Sequence, residues 1–205
     1  MLKTLDGFDF TAIPSLNKQL VMELARCEYI QKRENVLAVG NSGTGKTHVA
    51  TALGLCACHE GRKVRFFTAA GLVTALTEAR DEKALLRFRK QLARKDLVIV
   101  DEFGYVPFSK TGAELLFEFF AERYERGSVM VTTNLPFDQW TEVLGSERLT
   151  GALLDRLTHR VHILEMNGES YRFRESARRL GKKTPLPKTT DADKTEDNQK
   201  KEDLS

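Results

Sequence analysis

Cysteine is scarce in this chain, with three in 205 residues (Cys27, Cys56 and Cys58), and residues 1–10 mix Lys3 and Asp6 with two Phe in place of a continuous apolar leader. Three thiols without an export signal exclude a disulfide framework and predict a cytoplasmic protein. Cys56 and Cys58 lie beside His59, but residues two apart on a helix point to different faces, and no second cluster completes a tetrahedral metal set. They read as small helix-packing residues. Long hydrophobic runs are missing too, since the densest, such as residues 97–100, fall far short of the ~20 residues a spanning helix requires. No membrane partner is expected. Excess charge of one sign is also lacking: 32 Lys and Arg against 29 Asp and Glu leave +3, too near balance to argue by itself for a polyanionic partner. What is present, 41% hydrophobic and 30% charged residues at a mean hydropathy of -0.37, suits one folded domain with α/β as its default class.

Short apolar runs alternate with helical periodicity along the chain. Residues 35–40 read as a buried strand running into glycines, and 46–60 as a helix with Val49, Leu53, Cys56 and Ala57 at helical spacing. A strand over 63–68, a helix over 69–79, and a strongly charged helix over 81–95 follow. Residues 96–101 form a continuous apolar run of the kind shown by parallel strands covered on both faces. Ser109 is predicted to cap a helix running to about Arg126, with Ala113, Leu116, Phe120 and Tyr124 inward and Gly127 ending it. Residues 128–133, 149–157 and 161–164 complete the pattern as strand, short helix and fifth strand. Alternation of this kind implies a parallel five-stranded sheet between helices. The expected organisation is a helical lead-in over 1–34, a core over 35–180 and a tail over 181–205. That tail carries six Lys, six Asp or Glu, two Pro and no aromatic, so it is predicted to be disordered.

Gly40, Asn41, Ser42, Gly43, Thr44, Gly45, Lys46 and Thr47 fit G-x-x-x-x-G-K-[ST] at every fixed position, between a predicted strand and a predicted helix. Glycines let the backbone wrap closely around a polyphosphate, with N–H groups and the helix N-terminus facing the anion. Lys46 brings a point charge to the β- and γ-phosphates, and the Thr47 hydroxyl suits Mg²⁺. His48 follows directly; its bulk, where close helix packing asks for Gly or Ala, argues against a dinucleotide fold. Asp101 and Glu102 end the apolar strand at the edge where parallel sheets bind ligands. Asp101 is the candidate Mg²⁺ carboxylate and Glu102 the base for an attacking water. Paired carboxylates favour hydrolysis of ATP over a kinase reaction. Asn134, after Thr132 and Thr133, is placed either to orient that water or simply to make the turn before Leu135 and Pro136.

The residues 40–47, 101–107, 122–126, 132–137 with Trp140, 153–157 and 168–172 together resemble AAA+ ATPases of the clade containing IstB-type transposition helpers and DnaC-type helicase loaders, over roughly residues 5–179. The phosphate loop and carboxylates alone mark only a P-loop NTPase, whereas Leu153-Leu-Asp-Arg-Leu157 followed by a strand and Ser170-Tyr-Arg172 is more specific. The resemblance implies an ATPase acting as a homo-oligomer, with a transposase as partner or, in the alternative, a replicative helicase. It implies that Arg156, or else Arg160 one helical turn on, reaches a neighbouring subunit's nucleotide as an arginine finger. Arg172 is implied either as a nucleotide sensor or as part of a basic surface. Members of this clade usually begin with a further helical domain, which this chain is expected to lack, and no helical lid domain is expected.

Two concentrations of cations lie outside these motifs. Lys83, Arg87, Lys90 and Arg94 fall at i, i+4, i+7 and i+11, one face of the predicted helix. Arg174, Arg178 and Arg179 belong to the second. Lines of cations without a base-reading motif suit sequence-independent contact with the phosphates of double-stranded DNA, and equally suit a solvated helix face.

Overall fold

Short apolar runs with no polar face must be covered on both sides, and a parallel sheet between helices does this. In a computed structural model describing residues 3–173 and Ser176, five strands pair in the order β2-β3-β4-β1-β5, all parallel. They are β1 (Asn35–Val39), β2 (Val64–Thr68), β3 (Leu97–Phe103), β4 (Ser128–Thr133) and β5 (Val161–Glu165). The central strands β1, β3 and β4 are buried nearly throughout, as strands covered on both faces must be.

Helices cover both faces. The lead-in holds α1 (Lys18–Leu24) and α2 (Glu28–Gln31), α3 (Lys46–His59) follows β1, and α4 (Ala69–Asp81) and α5 (Leu85–Ala93) separate β2 from β3. After β3 come α6 (Lys110–Arg123), α7 (Trp140–Leu144) and α8 (Glu147–Thr158). Alternate residues of the strands enter two cores. Val36, Ala38, Leu97 and Ile99 pack with α3 and the lead-in residues Ile13, Leu16 and Val21. Leu37, Val98, Val100 and Phe103 pack with α4, α6, α7 and α8. Among the described residues, no helix is long and apolar enough to cross a membrane.

Local chemistry explains the helix starts. Asn17, Thr68, Ser109 and Ser146 each accept a backbone N–H of the first turn, as N-caps do. Several boundaries depart from the sequence reading. The charged helix starts at Leu85 and not at residue 81, because Lys83 takes a left-handed φ of 56° and breaks the chain between α4 and α5. Lys83 therefore leaves the face shared by Arg87 and Lys90, and Arg94 is the residue that closes α5. Helix α6 ends at Arg123, short of Arg126, since Tyr124 turns extended (ψ 123°) and Glu125 goes left-handed (φ 56°). Arg123, the last residue of the helix, buries its guanidinium among the carbonyls of Leu92, Lys95, Asp96 and Ser128. Strand β3 continues to Phe103, so Asp101 and Glu102 lie inside it. Helix α8 ends at Thr158, which leaves Arg160 in the turn before β5 and off the helix that carries Arg156. The expected tail over 181–205, and with it Arg174, Arg178 and Arg179, lies outside the described residues.

Candidate active site

The phosphate loop leaves β1 at the C-terminal edge of the sheet and enters α3 through Gly45, whose φ of +91° no β-carbon tolerates easily. A side chain there would also sit 2.7 Å from the Phe8 ring. Gly43 (φ +79°) is held from the other side, its carbonyl accepting the Tyr171 N–H at 3.0 Å. The buried Thr44 hydroxyl donates to the Asn41 carbonyl at 2.9 Å and closes the loop on itself. Lys46 Nζ donates to the carbonyls of Gly40 and Asn41, both at 2.7 Å. Burial pushes the Lys46 ammonium down from 10.5 to about 8; Asp101 opposes that shift and Arg172 adds to it.

Asp101 is almost fully buried, at 3% exposure, and its Oδ1 accepts from the hydroxyls of Thr47 (3.1 Å) and Thr132. Glu102 by contrast is exposed, and it lines a cavity of about 550 Å³, within the usual range for small-molecule sites. The cavity gathers Ser42 to His48, Glu102, Asn134 and Arg172, with Gly40, Asn41 and Asp101 just behind its wall. The donor set suits a hard cation. Thr47 gives its proton to Asp101 and so keeps its oxygen lone pairs free, and hydroxyl with carboxylate is the oxygen chemistry that Mg²⁺ takes.

Other predicted residues stand apart. Arg156 does not line this cavity; its guanidinium lies 5.1 Å from the centre of the Phe117 ring and donates to the Ala152 carbonyl at 2.6 Å. Arg160 is exposed, and its carbonyl accepts the Asn35 N–H at 2.8 Å. Lys83, Arg87, Lys90 and Arg94 are all exposed, whereas Arg89 of the same segment is bound by Glu118 and Glu122.

Two parts of the site escaped sequence reasoning. The lead-in forms a wall: Phe8 meets His48 edge to face at 5.3 Å, His48 Nε2 lies 2.7 Å from the Thr4 carbonyl, and Ile13 lines the cavity. Its only sequence signal is the apolar spacing of Leu5, Phe8, Phe10, Ile13 and Leu16 in a stretch with no regular period. Thr132 is legible in the sequence only as part of the polar strand end it forms with Thr133 and Asn134; its bonds to the Glu102 N–H and the Asp101 carboxylate are not, because threonine is common in strands.

The sequence matches the family described as IstB-like ATP binding protein over residues 1–179. It is 40% identical over 174 residues to a Pseudomonas aeruginosa protein of insertion sequence IS21 named for ATP binding, covering 85% of this chain and 66% of that one. A counterpart from insertion sequence IS5376 of Geobacillus stearothermophilus is also 40% identical, over 173 residues, covering 84% and 69%. The chain thus spans about two thirds of the length of these relatives. Among solved structures, the DnaC helicase loader superposes with a TM-score of 0.62 at 19% identity, covering 72% of this chain and 86% of that one. AMPPCP-bound DnaA from Aquifex aeolicus gives 0.67 at 22%, covering 89% and 57%. At these identities the likeness is one of fold, a phosphate loop on a parallel five-stranded sheet between helices.

Proposed function

The chain belongs to the IstB-like ATP binding protein family, and on that premise we propose that it is a cytoplasmic ATP hydrolase that assists insertion-sequence transposition by assembling on DNA. One observation carries the hydrolytic reading: an exposed carboxylate, Glu102, shares a cavity with the phosphate loop while its neighbour Asp101 is buried against Thr47.

The triphosphate lies along the backbone N–H groups of residues 42–47, at the positive end of α3. Lys46 exchanges its two loop carbonyls for the β- and γ-phosphates, which stabilise its charge. Thr47 and Asp101 hold Mg²⁺, which neutralises charge on those phosphates when bound. Asn134 orients a water, and Glu102 takes its proton as the water oxygen bonds to the γ-phosphorus and the bond to the β–γ bridging oxygen breaks. Arg172, at the cavity rim, contacts the phosphates as a sensor.

Arg156 completes the site of a neighbouring subunit. Its distance from its own chain's cavity supports action in trans, and Phe117 holds the guanidinium on the surface. A finger of this kind is worth ~10³ to 10⁵ in rate. Arg87, Lys90 and Arg94 grip duplex DNA through its phosphates, with Arg174, Arg178 and Arg179 as further contacts. The relatives from insertion sequences favour a transposase over a replicative helicase as partner.

The test is phosphate release as a function of protein concentration, with and without duplex DNA. Wild-type protein should show specific activity that rises with concentration and with DNA. Lys46→Ala should abolish nucleotide binding, and Arg156→Ala should remove only the concentration-dependent part. An Arg156→Ala variant that keeps the wild-type concentration dependence rules out the finger.

A further inference from the structure

Strand β3 faces a conflict at its functional end. Val98 and Val100 point into the apolar core beneath α4 and α6, while Leu97 and Ile99 point toward α3. A regular pleat alternates faces at every residue. Continued, it sends Asp101 toward α3, where Asp101 does meet Thr47, but drives Glu102 into the apolar core and takes Phe103 out of it.

The chain avoids this with a bulge. Val100 pairs with Val131 and Phe103 with Thr133, three steps along β3 against two along β4, so Asp101 and Glu102 together oppose Thr132. Glu102 is the extra residue, in a left-handed conformation (φ 59°) that a residue with a β-carbon enters only under constraint. Phe103 thereby returns to the core, fully buried with its ring 4.2 Å from that of Trp140, and Glu102 stays at the cavity.

A bulged residue loses its ladder partner, and here the loss is made good by one side chain. The Glu102 N–H donates to Thr132 Oγ1 at 3.0 Å, and the same hydroxyl donates its own proton to Asp101 Oδ1. Thr132 is 1% exposed and lines the cavity beside Glu102. We infer that Thr132 is a positioning residue for hydrolysis, whose hydroxyl locks the bulge that presents Glu102 and at the same time fixes Asp101. This rests on the proposed role of Glu102 and adds the group that sets its place. A valine fills the same space but leaves the Glu102 N–H and one Asp101 contact unmet, while serine keeps both.

The experiment compares steady-state ATP hydrolysis, affinity for a non-hydrolysable ATP analogue and thermal unfolding in wild type, Thr132→Val, Thr132→Ser and Glu102→Gln. Thr132→Val should lose ~10- to 100-fold in kcat, the scale of an ångström-sized displacement of a reacting group, with analogue affinity kept within about threefold. Thr132→Ser should recover most of that kcat. A purely structural role would lower the unfolding temperature and leave kcat per folded molecule unchanged. Wild-type kcat in Thr132→Val alongside an inactive Glu102→Gln overturns this inference alone. Serine failing as badly as valine overturns it too, because the hydroxyl would not be the determinant. Full activity in Glu102→Gln removes both this inference and the hydrolytic role on which it rests.

Discussion

Raising the pH tests whether Lys46 does the electrostatic work of binding. In the free protein its pKa is pushed down to about 8 by burial, against the opposing attraction of Asp101 and with a smaller repulsion from Arg172. A bound triphosphate surrounds the ammonium with negative charge and lifts that pKa again. Binding is therefore full-strength below about pH 8 and weakens as the pH rises toward the pKa of the complex, with one proton taken up as nucleotide binds. At pH 9, one unit above the free value, about one Lys46 in eleven is charged, which predicts roughly tenfold weaker affinity, about 1.4 kcal/mol. The same depression has the opposite sign for stability. From about pH 8 to 10.5 the unfolded chain holds a proton that the folded chain has lost, so folding gains over that window. Calorimetric titration with a non-hydrolysable ATP analogue at pH 7, 8 and 9, in two buffers of different ionisation enthalpy, reads both affinity and proton uptake. Lys46→Arg, charged at every such pH, should bind without this pH dependence. Wild-type affinity flat within twofold from pH 7 to 9, with no proton uptake, would refute the assignment of Lys46.

Arg123→Met should cost about 3 kcal/mol in urea unfolding, because two buried and two partly buried carbonyls lose a charged donor, while nucleotide affinity stays unchanged. A loss under about 1 kcal/mol would mean that those carbonyls find other partners. The double variant Arg87→Ala with Lys90→Ala should weaken duplex binding alike for all sequences and lower the slope of log affinity against log salt by about 2. An unchanged slope would take α5 off the DNA path.

How much of this was legible beforehand depended on whether the determinant was local. The phosphate loop, the apolar runs of all five strands and the Ser109 cap depend on residues close in sequence, and the structure follows them closely. The bulge at Glu102 did not announce itself, since it follows from a clash between the pleat of β3 and an apolar core assembled from distant helices. The side chain that closes α6 is likewise set from a distance: Arg123 reaches carbonyls of α5 (Leu92), of the turn before β3 (Lys95 and Asp96) and of β4 (Ser128), contacts that no helical periodicity encodes. The face drawn through Lys83, Arg87, Lys90 and Arg94 lost its first member because Lys83 adopts a turn conformation that its residue type does not signal. Likewise the wall formed by Phe8 and Ile13 joins residues far from the loop in composition and period, and only packing against α3 brings them there.

The most direct measurement pairs two readings on one variant, Glu102→Gln: affinity for ATP with Mg²⁺, and phosphate release per active site. If Glu102 is the base at this cavity, ATP affinity stays within a few-fold of wild type while turnover falls by ~10² to 10⁴. Turnover within twofold of wild type at intact affinity would contradict hydrolysis through Glu102.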